Sequence, residues 1–206
     1  GGFAVANGGG TPGLALSNPS NDFAGNITVN SGTYLMLWNV SEVIPDTAIV
    51  TNNGNFRMSD TAGRTETIAG MNGNGSVWMG NGTGGNQTLR IGANDVSSEF
   101  SGKIVRATDL LRTLSLAKIG SGTFTLSGTN AYTGATTVNG GMLVLGGFEC
   151  LDTNSATAVN SGATLFVQTA RPFAAGMRGA SLTINDGGGM FITNNPTASR
   201  MEVDRL

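Results

Sequence analysis

The chain has 206 residues, enough for one domain with a sizeable core, and holds 33 glycines, 39% hydrophobic residues, only 12% charged residues and no histidine. A net charge of −2 and a pI near 5.0 offer no basic field to nucleic acid or anionic lipid, and the missing histidine excludes Ser-His-Asp or Cys-His nucleophiles and His-ligated metals. Abundant Gly, Thr, Asn and Ser fit either a disordered chain or a turn-rich repetitive β-structure, and apolar residues that fall in recurrent short runs favour the second.

Residues 1–15, with Gly8-Gly9-Gly10 and Thr11-Pro12-Gly13, have loop composition and read as a linker or as the end of a preceding coil. Residues 16–37 then look like a degraded copy of 126–146. Asp22 to Gly32 (DFAGNITVNSG) echoes Ala131 to Gly141 (AYTGATTVNGG), which implies a weak internal duplication dividing the chain into 16–125 and 126–206, about 109 residues apart. Asn53 to Met58 and Ser161 to Val167 extend the correspondence, and Ala69 to Gly73 resembles Ala175 to Gly179. The joins 41–47 and 59–67, with Pro45, Arg57, Asp60, Arg64 and Glu66 in or beside them, read as irregular and solvated.

Thr88 to Gly92 and Glu99 to Ile104 read as further coils. Val105 to Leu116 is less Gly-rich, and Leu110, Leu111 and Leu114 have helical spacing, so a lateral helix competes there with another β-coil. The glycines that open strand-like runs, from Gly32 through Gly54, Gly75, Gly102, Gly122, Gly141 and Gly162 to Gly188, recur about every twenty to twenty-seven residues. That period suits one coil of three short strands and three turns. About nine coils over a single domain 1–206 would give a rod roughly 40 Å long.

The most regular stretch is Lys118 to Gly147. Phe124 with Leu126, and Leu143 with Leu145, alternate along two strands and are expected to share an apolar face. Lys118, Gly120, Gly122, Thr123, Leu126, Ser127, Gly128, Asn130, Tyr132, Gly134, Thr136, Val138, Gly141, Leu143 and Leu145 fit a pattern that resembles the autotransporter-associated β-strand repeat of bacterial surface-protein passengers. The resemblance implies a right-handed parallel β-helix, exported and displayed at a cell surface. It also implies a structural or adhesive segment.

No apolar run approaches the ~20 residues of a membrane helix, so no membrane insertion of this segment is expected. Gly1-Gly2-Phe3 is not a translation start, and a processed product or a slice of a longer chain is expected. Cys150 is the only cysteine, flanked by Glu149 and Asp152, and reads as an inert thiol.

No catalytic, cofactor or metal site is expected. The β-helical enzymes that act on acidic polysaccharides set the contrary case, and it would need clustered carboxylates. Only Asp60 with Arg64 and Glu66, or Asp95 with Glu99 and Lys103, are grouped closely enough to serve. Asn185 to Met190 comes nearest to a calcium-binding β-roll repeat but lacks its nine-residue period. Trp78, one residue out of phase with Val77 and Met79, and Trp38, at the end of an apolar run, are candidate surfaces for sugar rings; the competing reading packs them in the core or laterally. Surface glycans, or self-association into a filament or sheath, are the partners this reading allows.

Overall fold

Every second residue of a strand points the same way, so short runs such as Leu35-Met36-Leu37 and Val77-Trp78-Met79 bury the first and third side chains and turn the second outward. Runs of three to five residues cannot stand alone and are completed by stacking on the run one turn later. A computed structural model describes residues 1–6, 13–38, 40–58, 63–79, 85–105, 113–147, 150–151, 155–168 and 181–192. Its strands pair in parallel throughout and wind into a solenoid of about seven turns.

The solenoid has three sides. The first holds Phe3–Val5, Ile27–Val29, Ile49–Asn52, Gly70–Asn72, Ser98–Phe100, Thr123–Leu126, Gly141–Leu145, Ala163–Val167 and Gly189–Ile192, a four-stranded and a five-stranded sheet joined by a bridge between Gly73 and Phe100. The second holds Gly13–Leu16, Tyr34–Leu37, Asn55–Met58, Ser76–Met79 and Lys103–Ile104. The third stacks Thr65–Ile68, Gln87–Ile91, Leu114–Lys118, Thr136–Val138, Thr157–Val159 and Leu182–Ile184.

Register puts like on like inside. Phe124, Leu143, Leu165 and Met190 form one file, and Leu126, Leu145 and Val167 its neighbour. On the second side Leu14, Leu35, Phe56, Val77 and Ile104 do the same. These files make one continuous core, worth roughly 1.5–3 kcal/mol for each fully buried large side chain.

The expected count of about nine coils is corrected to about seven. One turn takes as many as 27 residues, as between Met71 and Ser98, so fewer fit than a twenty-residue period allows. The first side carries nine strands, but its two ends belong to partial turns. The first two turns, Phe3–Val5 with Gly13–Leu16 and Ile27–Val29 with Tyr34–Leu37, lack a third-side strand among the described residues, and Gly189–Ile192 has no described successor.

The 109-residue echo looks different in three dimensions. Leu35 and Leu37 point inward, one residue out of step with Leu143 and Leu145 under the 109-residue echo. The echoing strands Ile27–Val29 and Thr136–Val138 also lie on different sides, so the two copies are set one side apart around the solenoid. Leu110 and Leu111, Ala175 to Gly179 and Asp60 lie outside the described residues.

Candidate functional site

The outward face of the second side carries the aromatic candidates. Inward Leu35, Leu37, Val77 and Met79 fix the phase, which sends Tyr34, Met36, Trp38 and Trp78 out. Trp38 is 44% exposed. Trp78 is half-buried because Arg57, directly opposite it on the neighbouring strand, holds its guanidinium 5.0 Å from the ring centroid. Tyr34 stands opposite Gly13, and a Cβ there would lie 2.2 Å from the Tyr34 ring. The ring therefore lies across the glycine. Register lines up Gly13, Tyr34, Asn55, Ser76 and Lys103 in one outward file and Ala15, Met36, Arg57 and Trp78 in the next.

The charged groups that sequence reading placed on a solvated turn do something else. Glu66 is in phase with Ile68 and points inward, 1% exposed, accepting the backbone N–H of Val43 at 3.0 Å and of Ile44 at 2.6 Å. Burial pushes its carboxyl up to about 8 from an ordinary 4.5, against those two N–H bonds and reinforced by Glu42 and Asp46. Glu42 answers in the other direction, accepting the Thr67 N–H at 2.8 Å and its hydroxyl at 3.0 Å. The two carboxylates clasp residues 42–44, where no strand forms, to the strand one turn above.

Lys118 is the inward cation. It stacks between Ile91 and Val138, and its Nζ donates to the carbonyls of Ile119 at 2.6 Å, Gly120 at 2.9 Å and Gly140 at 3.2 Å. Desolvation lowers its amine to about 8, partly offset by Asp95. Asn130 replaces missing strand: its Oδ1 accepts the Ile104 N–H at 2.8 Å while its Nδ2 donates to Cys150 O at 2.8 Å and Gly128 O at 3.1 Å. The Tyr132 and Thr136 hydroxyls meet at 2.6 Å, and Ser155 links Thr136 to the Gly134 carbonyl. Cys150 is buried and free, donating to Leu126 O and accepting from Gly147 N–H, with burial pushing its thiol up.

Neither candidate acid grouping comes together among the described residues. Glu66 is sealed inside and Asp60 is not among the described residues. Asp95 sits on an exposed left-handed turn and accepts the Ser121 N–H at 2.6 Å, which holds its carboxyl below the usual range. Glu99 points out from the first side and accepts from the Ser127 hydroxyl, whereas Lys103 points out from the second. Among the described residues no three His, Cys, Asp or Glu side chains converge as metal ligands, and no helix is long and apolar enough to cross a membrane.

Lys118, Ser127, Asn130, Tyr132 and Thr136 of the repeat are thus spent on holding turns together. Residues 5–33 and 116–145 match the family model passenger-associated-transport-repeat. No curated protein and no solved structure matches the chain. The second matched segment contains Lys118, Asn130, Tyr132 and Thr136, and the repeat is of the kind expected from the sequence, a passenger-type β-helix. Sequence reading recognised these residues as a pattern and missed what they do, because a lysine or asparagine inside a core carries no local signal beyond its phase. That phase was readable: Lys118 alternates with Leu116 and Leu114.

Proposed function

We propose that the chain is a non-catalytic segment of an exported surface protein, a passenger-type β-helical rod whose outer face makes its contacts. The observation that carries this reading is the use of the repeat's polar residues. Lys118, Asn130, Tyr132 and Thr136 are buried and hydrogen-bonded within the solenoid, which leaves them to shape and rigidity. Two matches to a passenger repeat, one in each part of the chain, support export and display. Dispersed carboxylates support a role without turnover.

The test is labelling of intact source cells with an antibody raised against this segment, beside permeabilised cells. Equal labelling of both supports display. Labelling that needs permeabilisation overturns it.

A further inference from the structure

The two ends of the solenoid match each other. At the lower end Phe3–Val5 and Gly13–Leu16 form a strand-corner-strand pair on the first and second sides, and at the upper end Leu182–Ile184 and Gly189–Ile192 form one on the third and first. Each pair leaves core positions incompletely covered. Ile184, in the inward file of Val138 and Val159, is 41% exposed, and Leu182, Met190, Phe3, Leu14 and Leu16 are half-buried. None of the four strands carries a charged residue or a proline, the usual guards of a sheet edge.

The outermost peptide groups are in phase. Phe3 N–H donates to Asn26 O at 3.0 Å and Val5 O accepts Asn30 N–H at 3.1 Å, so both face the turn above and the Ala4 N–H and C=O face the open end. Thr157 N–H donates to Ser181 O at 2.7 Å and Val159 O accepts Asn185 N–H at 2.8 Å, so Thr183 faces the turn below, and Leu182 and Ile184 face the open end. A second copy set one side back around the axis seats Phe3 on Leu182 and Val5 on Ile184, with Ala4 N–H donating to Leu182 O and Ile184 N–H donating to Ala4 O. Gly13 then meets Gly189, Leu14 meets Met190, and the small Ala15 leaves room for the exposed Phe191. The same offset lays the third side of the first two turns, which is strandless, over the second side above Lys103–Ile104, which has no strand among the described residues. It is also the offset between Ile27–Val29 and Thr136–Val138 inside the chain.

We propose that copies of this chain stack head to tail through these ends, each set one side back, into a continuous solenoid. The contact is heterologous and advances along the axis, so it builds an open filament and not a ring. Nine first-side rungs at ~4.8 Å set an advance of roughly 40 Å per copy.

The experiment is sedimentation of the folded chain over a wide range of concentration, with electron microscopy of the most concentrated sample. The expected result is a mass that rises with concentration and unbranched fibres with that axial advance. Ala4→Pro removes an N–H that faces away from the turn above, and Ile184→Lys puts a charge into the upper joint at a position already open to water. Each variant alone should be a monomer with the parent circular dichroism. Their equimolar mixture, with one good end on each, should form dimers and nothing longer. A parent chain that stays monomeric throughout overturns the proposal and leaves the ends to neighbouring coils of one longer polypeptide. Fibres from either variant alone, or a mixture that stays monomeric or grows beyond two, also overturn it. A monomeric parent with intact-cell labelling preserved removes the joint and leaves display standing.

Discussion

Replacing Asn130 with alanine removes a side chain that does the work of a peptide group. The second side has strands only as far as Lys103–Ile104 among the described residues, and above them the Asn130 amide bridges Ile104 N–H to Cys150 O. All three residues are 4% exposed or less, so water does not reach the vacated partners without opening the coil. Each orphaned buried group costs about 1–3 kcal/mol, and two of them give roughly 2–6 kcal/mol. Asn130→Asp separates hydrogen bonding from packing. It keeps the acceptor for Ile104 but turns an oxygen toward the Cys150 and Gly128 carbonyls, and is expected to be no better than alanine. Urea unfolding followed by circular dichroism gives the loss, and amide exchange at Ile104 localises it. A loss under about 0.5 kcal/mol for alanine, or an aspartate variant as stable as the parent, would refute the bridging role.

Glu66 predicts a pH dependence. Its carboxyl is raised from 4.5 to about 8 on folding, so its stabilising contribution is full below 4.5 and is lost as pH rises through 8. The difference in urea midpoint between parent and Glu66→Gln should shift across that window, and a constant difference would contradict it. Lys118 acts oppositely and higher: its amine falls from 10.5 to about 8, so the cost of keeping it charged inside is present below 8 and relieved as pH climbs toward 10.5. Lys118→Met, which strips a donor from three carbonyls, should remove that slope and accelerate amide exchange around Gly120 and Gly140. Two glycines separate space from backbone strain. At Gly32, with φ +77° and nothing near its missing Cβ, alanine should cost about 1–2 kcal/mol. At Gly128 the Cβ would fall 1.8 Å from the Gly102 carbonyl oxygen, and alanine should cost clearly more in the same unfolding assay.

The fold was legible because the solenoid repeats a local rule. Phe124, Leu126, Leu143 and Leu145 alternate with outward residues, and glycine marks each corner, so period and phase both survive in one dimension. Trp78 was legible as an outward residue for the same reason, one step out of phase with Val77 and Met79. Coil number was not, since a turn is free to lengthen at its corners without disturbing the stacked strands, as between Met71 and Ser98. Pairings one turn apart were the least legible. Nothing near Glu66 in sequence says that its partners are Val43 and Ile44, and nothing near Trp78 says that Arg57 covers it. Glu66 read as part of a solvated turn because burial of an acid depends on donors brought from the turn below.

Stacking register carries all of these assignments, from the core files to the matched ends. Thr137 and Ala158 are direct partners on the third side, and Thr183 is the next residue in that file. Neighbouring rungs lie about 4.8 Å apart, within the span of a disulfide, and alternate rungs about 9.6 Å apart, beyond it. The decisive measurement is oxidative cross-linking of two double variants, each with Cys150→Ser. Thr137→Cys with Ala158→Cys should close a disulfide rapidly in the folded chain, and Thr137→Cys with Thr183→Cys should not. Equal cross-linking of both pairs, or closure of the second alone, would contradict the parallel solenoid in this register.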